Sequence, residues 1–232
     1  MNENEIINEV LVKNSNIKEI DKSLHKVCKS VCKITCKNTL GSGFLIKLYK
    51  DEKALFCLMT NEHVINKDMI KSNEIINMCY DFEEKWAQIK LNITQRFITY
   101  DLEKDITIIE IIPNDKIKEK YFLIPNMDKI NYINKDIYIV QFPRGQNLSY
   151  SEGKIINLNN FDFSYDASTE PGSSGSPIIL KNTTKVIGIH KKGNKKNKTN
   201  YGTLITSIMP LLRIKKLKKK KTQKKKRTCI TA

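Results

Sequence analysis

Histidine is scarce in this sequence. Only His25, His63 and His190 are present, so any chemistry that needs an imidazole has three candidates. Long apolar runs are missing too. No uninterrupted stretch exceeds the six residues 54–59, whereas a bilayer-spanning helix needs roughly 18. The opening residues Met1-Asn2-Glu3-Asn4-Glu5 are polar and acidic. They lack the basic start and apolar block of a secretory leader, and they are too acidic for a transit peptide. An intracellular protein is the expectation, and its six cysteines, Cys28, Cys32, Cys36, Cys57, Cys79 and Cys229, are expected to be reduced thiols. Cys28, Cys32 and Cys36 recur every four residues, with no CxxC pair and no histidine cluster beside them. They read as small apolar residues on the first strand and its approach, and neither a metal nor any other cofactor is expected.

Acidic residues are outnumbered, 25 Asp and Glu against 41 Lys and Arg, for a net charge of +16. The excess is concentrated. Residues 213–227 carry eleven Lys or Arg and no acid, so only +5 remains on the rest of the chain. A body coated with positive charge over its whole surface, as in a general nucleic-acid binder, is disfavoured.

The chain is 232 residues long and 40% apolar, enough for a core without disulfide staples. Ile6, Ile7, Val10 and Leu11 fall at helical spacing and predict a short amphipathic helix within an extension covering residues 1–24. From about Val27 short strands rich in Ile, Val, Thr, Tyr and Phe are predicted at 31–35, 43–48, 55–60, 88–93, 105–111, 136–142, 153–158, 177–180, 185–190 and 201–206. Asn, Asp, Gly and Pro clusters such as Pro143-Arg144-Gly145 separate them. The pattern is that of an all-β barrel or sandwich. The loop at 113–125 divides the strands into two groups, 25–115 and 116–212, and a helix is predicted at 205–217 before the basic tail 213–232.

Three segments carry chemistry. Pro171-Gly172-Ser173-Ser174-Gly175-Ser176-Pro177 sets a serine between glycines, where a tight turn can aim backbone N–H groups at one point. A serine hydroxyl needs a base to become a nucleophile. His63 ends the apolar segment Leu58-Met59-Thr60 through a polar turn and is a suitable mount for one. The imidazole in turn needs a carboxylate to orient it. Asp105 heads Ile106-Thr107-Ile108-Ile109, whereas Asp101 and Glu103 read as solvated loop charges.

The order His63, Asp105, Ser174 and the blocks Thr60-Asn61-Glu62-His63-Val64, Asp105-Ile106-Thr107-Ile108-Ile109 and Gly172–Pro177 resemble the chymotrypsin-like (trypsin-like) serine protease family. Gly41-Ser42-Gly43-Phe44 and Phe142-Pro143-Arg144-Gly145 resemble two further blocks of it. The resemblance implies two antiparallel six-stranded β-barrels with a cleft between them. It also implies a catalytic set of His63, Asp105 and Ser174, and an oxyanion hole from the N–H groups of Gly172 and Ser174. Its substrates would be proteins or peptides. The residue before the nucleophile is Ser173, where digestive trypsins have Asp, so no zymogen switch of their kind is implied.

In motif the chain is most similar to the glutamyl endopeptidase and high-temperature-requirement branches. His190 in Val186-Ile187-Gly188-Ile189-His190, with Thr169 five residues before the nucleophile, matches the pair that binds a substrate Glu in the former. Ser168 would lie near the pocket base, and Lys191 and Lys192 are expected to add positive potential. The mature N-terminal amine that those enzymes also use is not expected here, because a long extension precedes the first strand. An acidic preference before the scissile bond is therefore an expectation resting on two residues.

The terminal Cys229-Ile230-Thr231-Ala232 fits a prenylation pattern beside a polybasic stretch. One lipid plus a basic patch suffices for membrane association. An anionic membrane surface is thus the expected partner of the tail, with a nuclear signal or nucleic-acid contact as the alternative. The rival reading of the whole chain is a catalytically silent protease fold, used as a binding module and directed by that tail.

Overall fold

The structure is a computed structural model that describes residues 22–128, 130–194 and 198–212. The helix expected around residues 6–11 and the tail with Cys229 lie outside the described residues. A short helix α1 (Lys22–Cys28) leads into seven antiparallel strands: β1 (Val31–Cys36), β2 (Thr39–Lys50), β3 (Lys53–Thr60), β4 (Ile75–Tyr80), β5 (Lys85–Lys90), β6 (Ile98–Asp101) and β7 (Ile106–Glu110). They pair in the order β5-β4-β1-β2-β3-β7-β6. A second helix, α2 (Lys67–Lys71), interrupts them after β3, capped by Asn66, whose side chain accepts from the N–H groups of Asp68 and Met69.

The second group is β8 (Ile124–Pro125), β9 (Asp136–Gln141), β10 (Ser149–Asn159), β11 (Asp162–Tyr165), β12 (Pro177–Leu180), β13 (Lys185–Asn194) and β14 (Thr199–Leu204). Six of these close into a barrel, because β12 pairs with both β9 and β13. β8 lies outside the ring, parallel to β13. This is the chymotrypsin-like double-barrel architecture, with one departure from the expected pair of six-stranded barrels. The first sheet has seven strands, and among the described residues no ladder joins its edges β5 and β6.

Apolar side chains form three clusters. One fills the first sheet around Leu45, Leu58, Ile76 and Ile109, and another fills the second barrel around Ile139, Phe163, Tyr165 and Ile187. The third lies between them and takes Phe44, Met59 and Ile108 from one side and Val140, Ile179 and Ile189 from the other. β3 and β7 are therefore buried on both faces. That is why β3 reads as an unbroken apolar run over 54–59 and β7 as mostly isoleucine, rather than as alternating strands.

Several local expectations need correction. The first predicted strand, 31–35, is β1, but Val27, from about which strands were expected, lies in α1. The predicted strand 88–93 is β5, which ends at Lys90. β4, β6, β8 and β11 were not anticipated. β6 is half-buried throughout, β8 has two residues, and Asp162-Phe163-Ser164-Tyr165 sits among turn formers. The predicted C-terminal α-helix is, in its described part, a 3₁₀ segment Ile205–Leu212. Pro210 lacks the N–H that an α-helix interior requires.

Candidate active site

His63 stands on the turn between β3 and α2. The carbonyl of Asn61 accepts from the N–H groups of Val64 and Ile65 at 3.2 and 3.1 Å, which curls the chain tightly. Val64 and Ile65 are buried and pull the turn inward, leaving the His63 side chain 49% exposed. Glu62 accepts from the N–H of Lys67 at 3.0 Å and fastens the turn to α2.

Asp105 is not the first residue of β7 but the last of the turn before it, at φ 55°. An L-residue in this left-handed region is costly, although Asp and Asn tolerate it better than most. The conformation turns the carboxylate back toward His63. Oδ2 lies 2.7 Å from His63 Nδ1, and Oδ1 accepts the backbone N–H of His63 at 3.0 Å. Asn61 Nδ2 donates to the Asp105 carbonyl at 2.8 Å. The carboxylate side chain is only 14% exposed. A carboxylate accepts only, so Nδ1 carries the proton and Nε2 is left as an acceptor facing outward. Asp101, expected as a solvated charge, is instead mostly covered and bound to Lys104 Nζ at 2.7 Å. Burial alone would raise its pKa, but Lys104 and nearby N–H groups outweigh it and hold the carboxyl below its usual range.

Ser174 sits on a turn in which three neighbouring N–H groups are engaged. Ser173 donates to the Glu170 carbonyl, Gly175 to that of His190 and Ser176 to that of Ser173, at 3.0, 3.2 and 3.0 Å. No acceptor among the described residues takes the N–H of Gly172 or of Ser174. Gly172 has φ 94°, and a Cβ there would come within 2.8 Å of the Phe142 carbonyl oxygen. Gly175 has φ 89°, and its Cβ would strike the Ser42 carbonyl. Both glycines are thus required by conformation and by space.

Ser42, on β2, ties this turn to the first sheet. Its N–H donates to the Ser174 carbonyl at 2.8 Å and its hydroxyl to the Gly172 carbonyl at 2.9 Å. The same hydroxyl accepts from the N–H of Phe142, and the Ser42 carbonyl accepts from Thr60 Oγ1. The Gly41-Ser42-Gly43 motif pointed to this segment, but the role of the Ser42 hydroxyl depends on partners 100 and more residues away.

A cavity of about 700 Å³ has His63, Asp105, Ser174, Ser168, Thr169 and His190 on its walls. These six sequence-derived side-chain candidates therefore meet at one place, while the seventh, Cys229, lies outside the described residues. Among the described residues no hydrogen bond joins Ser174 Oγ to His63; without substrate such bonds are often long. His190 is 3% exposed. Its Nδ1 pairs with the hydroxyl of Tyr165, a residue that the sequence did not single out. Burial pushes the phenol well above its usual range, so Tyr165 donates and Nε2 of His190 carries the imidazole proton. Burial, aided by His63, lowers His190 to about 4 and keeps it neutral at neutral pH. Ser168 is exposed, and its carbonyl accepts from Gln141 Nε2 and Ser151 Oγ. Lys191 and Lys192 both line the cavity, but Lys191 is turned to other partners: Nζ lies 2.8 Å from the Glu103 carbonyl oxygen and 3.4 Å from Asp162 Oδ2. The free positive potential expected of it is thereby reduced.

The chain is similar to the glutamyl endopeptidase of Staphylococcus epidermidis, 28% identical over 156 residues that are 62% of this chain and 54% of that protein. It is also similar to the glutamyl endopeptidase of Staphylococcus aureus strain MW2, 29% identical over 106 residues, covering 43% and 32%. The chain thus spans about half or less of these curated relatives. Among solved structures, the serine endoprotease from Yersinia pestis aligns with a TM-score of 0.66 at 16% identity, covering 85% of this chain and 68% of that one. A protease from M. tuberculosis in its active form aligns at 0.61 and 16%, covering 88% and 93%, and at such identity the likeness speaks for the fold. The model of the trypsin-like peptidase domain matches residues 41–189, well over half of the sequence and the span that holds His63, Asp105 and Ser174, and the chain belongs to that family.

Proposed function

We propose that the protein is a serine endopeptidase in which His63, Asp105 and Ser174 form the catalytic set. The observation that carries this reading is one cavity lined by Ser174 and by an Asp105-oriented His63, beside two N–H groups with no acceptor among the described residues. In this mechanism His63 Nε2 takes the Ser174 hydroxyl proton as Oγ attacks the scissile carbonyl. The imidazolium shares its Nδ1 proton with Asp105. The N–H groups of Gly172 and Ser174 receive the developing oxyanion. The tetrahedral species collapses as His63 returns the proton to the leaving amine. Water, deprotonated by His63, then cleaves the acyl ester and restores Ser174.

An acidic residue before the scissile bond is the preference that the pocket supports. His190, neutral and nearly buried, Thr169, with its hydroxyl, and Lys192, an exposed cation, line the same wall. Recognition would rest on hydrogen bonds more than on a charged imidazole. The relatives named glutamyl endopeptidase agree with this preference.

A fluorophosphonate probe should label the protein once and fail to label Ser174→Ala. Absence of labelling in folded wild-type protein would favour a silent binding module. Peptides differing only before the scissile bond test the preference, and equal cleavage after Glu, Leu and Phe would sink it. The tail is proposed as the membrane-targeting part through prenylation of Cys229. A C-terminal peptide mass equal to that of the unmodified sequence would reject this.

A further inference from the structure

We infer that Lys191 is a positioning residue, which reaches from the second barrel to hold the Asp105 turn in its working geometry. The inference rests on the catalytic reading above. The turn Asp101–Asp105 is gripped at three successive carbonyls. Lys191 Nζ donates to that of Glu103 at 2.8 Å, Thr203 Oγ1 to that of Lys104 at 2.9 Å, and Asn61 Nδ2 to that of Asp105 at 2.8 Å. Only the third donor belongs to the first sheet. The other two lie on β13 and β14, so the second barrel holds a turn that the first sheet presents.

The strand geometry explains why Lys191 can do this. In the β13–β14 ladder His190 faces Gly202 and Lys192 faces Tyr201, so Lys191 is the extra residue of a bulge. A bulge re-aims a side chain that would otherwise follow the pleat. Its side chain is 13% exposed, and its ammonium is close to the carboxylate of Asp162, which is also within 3.1 Å of Thr203 Oγ1. That hydroxyl has one hydrogen and two acceptors, Asp162 and the Lys104 carbonyl. Lys191 and Lys104 both approach the ring of Phe161, at 5.5 and 5.3 Å from its centroid. Lys191, Asp162, Thr203 and Phe161 therefore form one brace against residues 103 and 104.

The brace has work to do because Asp105 is at a left-handed φ, which persists only where neighbours over-determine it. Without the two donors from the second barrel, the turn can relax toward ordinary backbone and carry the carboxylate away from His63 Nδ1. Lys191 also follows His190 directly and shares the cavity wall, so the strand bearing the pocket histidine also sets the proton-transfer pair.

The test compares Lys191→Met, which keeps the aliphatic stem, with Lys191→Arg, which keeps a donor. Fluorophosphonate labelling and peptide hydrolysis are the readouts. Lys191→Met should lower both the labelling rate and kcat by roughly 10- to 100-fold with KM little changed, as expected for displaced catalytic groups. Lys191→Arg should recover most of the rate. Thr203→Val should lower kcat in the same sense, and it decides the matter alone if Lys191→Met does not fold. Wild-type rates in Lys191→Met, equal losses in the Met and Arg variants, or an unchanged kcat in Thr203→Val would each overturn the inference. A wild-type protein that does not label would instead defeat the catalytic reading itself, so the two failures are distinguishable.

Discussion

In the first sheet the groups proposed to react are side chains, His63 and Asp105, on two turns that hydrogen-bond to each other. In the second barrel they are a hydroxyl and two backbone N–H groups on a single glycine turn. The difference follows from what each half must do. Proton transfer needs a group that titrates, and only a side chain supplies one. Stabilising an oxyanion needs donors that do not move, and a backbone fixed by two left-handed glycines supplies these with little reorganisation. The first half depends on correct side-chain pairing, the second on exclusion of a Cβ.

Substitutions can break each half by its own means. The largest effect is expected from Asp105→Asn. Asn tolerates the left-handed conformation, so the fold should survive. The carboxylate that fixes the His63 tautomer is lost, however, and kcat should fall by about 10⁴-fold; a fall below 10-fold would show that His63 is oriented by other groups. Gly172→Ala should come next. The added methyl meets the Phe142 carbonyl and the turn must shift, so kcat should drop by about 10²- to 10³-fold while KM changes less. Unchanged kcat in this variant would remove Gly172 from the oxyanion hole.

The remaining effect concerns pH and is read as stability rather than rate. His190 ionises at about 4 when folded against an ordinary 6.5, so the unfolded chain binds the extra proton first. Stability is complete above the unfolded value and is lost as pH falls toward the folded one, by as much as roughly 3 kcal/mol across that window. Urea unfolding at pH 7.5 and pH 4.5 should show this loss in the wild type and a flatter response in His190→Gln. Equal slopes would mean that the imidazole is not held neutral by burial.

The blocks around His63, Asp105, Ser174 and His190 were legible because each is a local pattern. An apolar run with a polar tip, a carboxylate heading a strand and a serine between glycines all lie within about eight residues. The closed ring of the second barrel followed from the family those blocks resemble. β4 has no clear strand pattern in the sequence because Asn77 interrupts its apolar residues. Asp101 differs from the solvated charge its sequence suggests because the ammonium beside it and the cover above it belong to the folded turn. Lys191 differs from the free cleft cation its sequence suggests because nothing in Ile189-His190-Lys191-Lys192 announces a bulge, and its acceptor is 88 residues away.

By itself the sequence determined which residues could carry acyl transfer and in what order, since glycine, serine, histidine and aspartate each have properties that no neighbour can lend them. Tertiary structure alone decided how they are held. The Ser42 hydroxyl on the nucleophile turn, the Tyr165 phenol on His190 and the Lys191 ammonium on the Asp105 turn are contacts between segments distant in the chain. Their existence depends on strand register and on one skipped residue in a ladder. Such contacts leave no local pattern, because the side chains involved are ordinary until folding places an acceptor within 3 Å of them.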